Sequence, residues 1–293
     1  DNSQNSSGVA SGMYNPVVLK RFTPVWNGTS QLDLALPFYR ELEIKFERKF
    51  HFTLNIYRVF KSVEEQNNWF SASDNPLLAP YMIPDIIHEK FHGVKAEFGF
   101  GKLKNTGRID SQSLLIVYRK YLLDNNVLKM DPFNYQELEI EENGIKYHSL
   151  NAKCIVFCEG FGLRQNPYFN FLPMREAKGE LLVIYAPKLK VDFLIKAAVF
   201  VMPLGQGYFK VGATFNWKDK SKLPTEEGKR ELIQKLDTVI EVPYKIVEHM
   251  AGIRPTLKDR RPLVGRHPKF KNLAILNGLG TRGIMIAPTV ANS

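Results

Sequence analysis

Apolar residues recur along this chain with a spacing that changes character several times. Between Thr29 and Phe50, Leu34, Phe38, Leu42 and Phe46 fall every four residues, the repeat of an amphipathic helix. Thr29-Ser30 offers a cap, with Asp33 three residues after Ser30, and Pro37 is expected to kink the helix. From Phe50 to Phe60 the pattern switches to strict alternation, which predicts a strand. Residues 75–100, rich in Pro, Phe and His, predict irregular structure with short strands. Asp110 is placed to cap a helix from Ser111 to about Leu123, with Leu114, Leu115, Tyr118 and Leu122 on its inner face.

The second half predicts more strand. Cys154 to Cys158 is a short apolar run ending in Glu159-Gly160-Phe161-Gly162. Val199–Pro203 and Tyr208–Thr214 flank Gly205–Gly207 and predict a β-hairpin. A helix follows from Thr225 to about Leu236, with Glu226 and Glu227 suited to its positive end. Asn272–Asn277 has the length of a buried strand, and Gly278-Leu279-Gly280-Thr281-Arg282-Gly283 leads into the helix-like Ile284–Pro288. A strand, a glycine turn and a helix start can hold an electron-rich group, because glycine admits close backbone approach and the free N–H groups stabilise negative charge. The mixture of elements predicts an α/β fold.

Charge sharpens this picture in one region. The chain carries 40 Lys and Arg against 30 Asp and Glu, a formal net charge of +10. Between Ala251 and Asn272, Arg254, Lys258, Arg260, Arg261, Arg266, Lys269 and Lys271 face the single acid Asp259. Such a face is either solvated or attracts an anionic substrate or nucleic acid, and charge alone does not choose. Cys154 and Cys158, alternating strand positions apart, point to one face but are too far apart to bond, which fits a reducing cytoplasm. The six histidines are scattered, so no metal site is expected, and no apolar run is long enough to span a membrane.

The order Gly252-Ile253-Arg254-Pro255, then Asp259-Arg260-Arg261-Pro262-Leu263-Val264-Gly265, then Gly278-Leu279-Gly280-Thr281-Arg282-Gly283 resembles the C-terminal part of the FAD-dependent amine and amino-acid oxidases of the D-amino-acid oxidase/glycine oxidase type. In that family a strand ending in an acid precedes a small-residue loop, the acid bonding the adenosine ribose. Asp1 stands where that acid would be, and Ser6-Ser7-Gly8, Ala10-Ser11-Gly12 and Pro16 fit the loop. No G-x-G-x-x-G appears among residues 1–16, so the resemblance implies that roughly forty residues of the family pattern precede Asp1. Ile284–Ser293 likewise reads as a helix cut short.

The resemblance implies an FAD-binding, Rossmann-like domain, incomplete here, from residues 1–40, 105–178 and 255–293. A substrate domain with an antiparallel sheet would take residues 41–104 and 179–254. It also implies that FAD is held by Asp1, Ser6, Ser7, Gly8, Ser11, Gly12, Met13, Cys158, Glu159, Gly160, Gly278, Gly280, Thr281, Gly283 and Ile284. Arg254 would grip a substrate carboxylate bidentately, and Arg282 would bind substrate or steady charge on the reduced flavin. Phe200 stands where some relatives have a substrate-binding Tyr, whose hydroxyl it lacks. The expected reaction oxidises the C–N bond of an amine or amino acid by hydride transfer to flavin, and no catalytic acid or base is assigned. Two alternatives stand beside it. The Asp1–Pro16 spacing also resembles the oxidase half of the bifunctional enzyme that trims a carboxymethylaminomethyl group on a tRNA wobble uridine. A non-catalytic binding protein on the same fold is the other.

Overall fold

A computed structural model describes residues 5–292. Six α-helices lie among them: α1 (Ser6–Val9), α2 (Gly28–Phe46), α3 (Val63–Ser73), α4 (Ser111–Asp124), α5 (Glu226–Asp237) and α6 (Gly283–Ala291). The fold is a mixed α/β one, as the sequence implies. No helix of the described residues is long and apolar enough to cross a membrane.

Its largest element is an eight-stranded sheet in the order Lys245–Thr256, Arg175–Tyr185, Tyr208–Gly212, Phe200–Gly205, Leu194–Lys196, Ile56–Val59, Phe100–Leu103, Met82–Ile87. All neighbours are antiparallel except Leu194–Lys196 with Ile56–Val59. Strand side chains alternate between faces, so one sheet presents two different surfaces. Leu182, Ile184, Val201 and Val211 point to one side, where Leu232 and Leu236 of α5 complete a core. Leu181, Phe200 and Met202 point to the other, toward Val9 of α1 and Met285 of α6. That second face positions the site.

A three-stranded sheet pairs Ile155–Phe157 in parallel with Leu273–Asn277, and Leu263–Arg266 antiparallel to the latter. Both apolar runs that predicted strands here form them, and the expected hairpin forms as Phe200–Gly205 with Tyr208–Gly212. The expected divisions at 178/179 and 254/255 fall inside the Arg175–Tyr185 and Lys245–Thr256 strands, which pair along their whole length.

Four expectations need correction. The Phe50–Phe60 stretch is two strands, His51–Thr53 and Ile56–Val59, in different sheets. Helix α2 starts at Gly28 after Asn27, so Thr29 and Ser30 lie inside it and cap nothing. Its buried face is Leu32, Ala35 and Tyr39, while Phe38 is 41% exposed, because α6 packs against the small Ala35 and receives the Tyr39 hydroxyl. In α4 the Asp110 cap holds, its carboxylate accepting from Ser113 N at 3.0 Å. Leu115 and Tyr118, however, are exposed, and Leu114 and Val117 form the side packed against Ile109.

Candidate active site

The ends of the parallel strands are joined by one buried side chain. Asn277 Nδ2 donates to Gly160 O at 3.0 Å, and Asn277 Oδ1 accepts from Gly278 N at 2.8 Å. Gly278 (φ +71°) and Gly280 (φ +59°) then turn through the left-handed region that glycine tolerates. Gly280 N donates to Pro255 O at 2.9 Å, so the turn is bonded directly to the sheet strand carrying Arg254. Helix α6 follows, and the amides of Gly283 and Ile284 in its first turn have no intrahelical acceptor. The hydroxyl of Tyr39 donates to Ile284 O at 2.9 Å and fixes that helix start against α2.

The loop from Ser6 to Met13 approaches from the other side. Asn5 caps α1 by accepting from Gly8 N at 2.6 Å, and Ser111 Oγ donates to Ser7 O at 2.7 Å. A Cβ on Gly252 would lie 3.3 Å from Ser6 Cα, so α1 rests on the sheet two residues from Arg254. Gly12 (φ +66°) would place a Cβ 1.8 Å from Ile109 O, and Met13 pairs with Arg108. Ser11 and Gly12 thus lie where the loop turns into its strand pairing. Asp1 lies outside the described residues.

Arg254 is the best-defined group at this junction. Its guanidinium lies across Gly179, stacks on the Phe215 ring at 4.2 Å and donates from Nη1 to Thr214 O at 3.3 Å. Burial pulls its pKa down to about 10, and no carboxylate pairs with it among the described residues. Arg282 stands at the N-cap of α6, its pKa lowered by burial and then by Arg260, again with no acid partner among the described residues. Two desolvated arginines therefore lie at this junction, Arg254 on the strand to which the turn is bonded and Arg282 within the turn. Arg260 and Arg261 are exposed, the latter stacked on Trp26. Phe200 is 6% exposed and belongs to the apolar core with Leu181 and Met202.

At the end of the Ile155–Phe157 strand, Glu159 is pinned. Tyr135 OH donates to one carboxylate oxygen and Asn166 Nδ2 to the other at 2.8 Å. Burial and then Glu159 push the Cys158 thiol up. Gly160 (φ +56°) has no atom within 4 Å of a built Cβ and leaves open space beside the turn.

Sequence reasoning missed several charged groups. A cavity of about 300 Å³ between α1, α4 and the large sheet is lined by Ser11, Arg108, Asp110, Lys210, Glu248 and Met250, among others. Lys210 Nζ donates to Val9 O and Ala10 O, the last carbonyls of α1, and burial lowers its pKa. Lys178 is wholly buried. The available signal is a lysine inside a strand-forming run, Glu-Ala-Lys-Gly-Glu-Leu-Leu for Lys178 and Tyr-Phe-Lys-Val for Lys210.

The fold has known counterparts. Residues 2–292 match the family model described as DAO, FAD dependent oxidoreductase. Glycine oxidase of Bacillus subtilis (strain 168) is 31% identical over 121 residues, 40% of this chain and 32% of that protein. The tRNA 5-methylaminomethyl-2-thiouridine biosynthesis bifunctional protein MnmC of Aromatoleum aromaticum is 26% identical over 183 residues, 53% of this chain and 29% of that protein. These matches span about a third of the curated relatives' length. The crystal structure of glycine oxidase from Geobacillus kaustophilus superposes with a TM-score of 0.79 at 15% identity, over 100% of this chain and 85% of that one. With residues 2–292 matching that family model, the chain belongs to the DAO family of FAD dependent oxidoreductases.

Proposed function

We propose that this chain grips the substrate and covers the flavin in an enzyme that oxidises the C–N bond of an amine or amino acid bearing a carboxylate. The observation that carries this reading is Arg254: desolvated, without an acid partner among the described residues, and held flat on the Phe215 ring, on the strand to which the glycine turn is bonded. A rigid guanidinium fork of this kind matches a carboxylate with two parallel N–H bonds.

The residues present fit FAD. Gly160 and Gly280 turn in the left-handed region, Gly160 beside open space, α6 offers two amides, and Arg282 adds a cation, a donor set suited to an electron-rich ring and its phosphates. The Ser6–Met13 loop, Cys158–Gly160 and Gly278–Ile284 would hold the cofactor. The segments 1–40, 105–178 and 255–293 would form its domain and the remainder the substrate domain. When bound, FAD accepts the hydride from the substrate's C–H bond. Arg254 binds and orients the carboxylate, and the apolar Phe200, Leu181 and Met202 line a sheet face that excludes water.

The test is an anaerobic titration of the full-length, FAD-loaded protein, read by the visible flavin band. Amines bearing a carboxylate should bleach it, and Arg254→Lys should require about a hundredfold more substrate, the loss expected for one bidentate charged contact. Bleaching indifferent to Arg254 sinks the reading.

A second reading has its own support. Phe215 and Trp217 are exposed aromatics next to Lys218 and close to Arg254, a combination of stacking surface and positive charge that suits a nucleic acid. A substrate amine borne on tRNA would meet Arg254 past this rim. Binding of tRNA that falls steeply with salt and weakens in Trp217→Ala favours it, and binding indifferent to that change removes it.

A further inference from the structure

Lys178 is 0% exposed, and an ammonium buried so completely must spend its three donors. It spends them on one short segment: Asp219 Oδ2 at 2.5 Å, Ser221 Oγ at 3.0 Å and the carbonyl of Leu223. Its backbone bonds the same loop, with Lys178 N donating to Asn216 O and Asn216 N to Lys178 O, both at 2.9 Å. Two residues on, Glu180 N donates to Thr214 Oγ1 at 2.9 Å, and the Glu180 carboxylate accepts from Thr225 N and Oγ1 at 2.9 and 2.8 Å. The loop between the Tyr208–Gly212 strand and α5 is therefore pinned at its start, middle and end by alternate residues of one buried strand.

That loop contributes two of the three contacts that hold Arg254, the Phe215 ring and Thr214 O. The third is Gly179, which lies between the two pinning residues. We infer that Lys178 is a positioning residue for Arg254, fixing the Thr214–Leu223 loop so that the guanidinium is held in one orientation for its anion. The consequence for substrate rests on the proposed role of Arg254 as the carboxylate grip.

The test uses the full-length protein and reads the Arg254 Nε–H signal by NMR, assigned by its loss in Arg254→Lys. In the native protein it is displaced by the ring current of Phe215. In Lys178→Met it moves to the position of a free arginine, and acetate, the probe anion, binds about tenfold more weakly. Should Lys178→Met fail to fold, Asp219→Ala breaks the same bond from the partly exposed side and gives the same shift. An Arg254 signal unchanged in these variants overturns the inference, whatever acetate does. A displaced signal with acetate binding equal in native protein and Arg254→Lys upholds the role of Lys178 and refutes the carboxylate role of Arg254.

Discussion

Arg254 lies so close over Gly179 that a Cβ there would sit 2.0 Å from its Nη2. The atoms in the way are the far end of a long side chain, so Gly179→Ala displaces the guanidinium rather than the backbone. The expected result is a folded protein whose KM rises about tenfold or more for amines bearing a carboxylate, and much less for amines without one. Equal changes for both substrate types would show that the floor under Arg254 is unimportant.

The opposite outcome is expected at Gly12. Its φ is +66°, and a Cβ would fall 1.8 Å from Ile109 O, a backbone atom that cannot swing aside. Gly12→Ala should cost more than about 2 kcal/mol and uncouple the loop from the Gly107–Ile109 strand, lowering the thermal midpoint by several degrees.

Lys196 makes stability depend on alkaline pH. Burial, then Arg58 and Lys235, lowers its pKa from 10.5 to about 8 in the folded chain. Between those values the unfolded chain binds more protons than the folded one, so stability contributed by this group rises with pH across that window. At pH 7 its desolvated charge is a net cost, on the order of 3 kcal/mol. Lys196→Met should therefore stabilise the protein at pH 7, with the gain shrinking between pH 8 and 10.5. Chemical denaturation at both ends of that range measures it. A gain independent of pH would mean that packing, not charge, is responsible.

Tyr39→Phe removes the bond to Ile284 O and leaves a buried carbonyl without that donor. It should cost about 1–2 kcal/mol in stability. Because that bond fixes the start of α6, it should also weaken FAD binding more than a mutation elsewhere on α2. Equal FAD affinity would show that the helix start is held by other contacts.

The parts of this architecture that the sequence exposes are those with contiguous signals. The runs at Ile155–Phe157 and Leu273–Asn277 are apolar from end to end, and Asp110 and Thr225 stand just before their helices, so these elements form where expected. The face of α2 is not legible, because the large residues Leu34 and Phe38 advertise one stripe while contact with α6 selects Ala35 and Tyr39. The partners of Lys178 and Lys210 are hidden for a related reason. A single charge in a strand carries no period, and only the tertiary structure reveals that it meets Asp219 in one case and the α1 carbonyls in the other. Arg254 and the glycine turn were legible as a motif, whereas the stacking on Phe215 and the bed provided by Gly179 arise from strand register and loop closure.

The bond from Gly280 N to Pro255 O leaves one peptide unit between the strand position of Arg254 and the glycine turn. Proline fixes its own φ, so that unit has little freedom to absorb a displacement. An anion gripped by Arg254 and a ring held against the turn, as proposed, would act on the two ends of one stiff lever. Thermodynamic reciprocity then requires that whatever factor the first changes the affinity for the second, the second returns to the first.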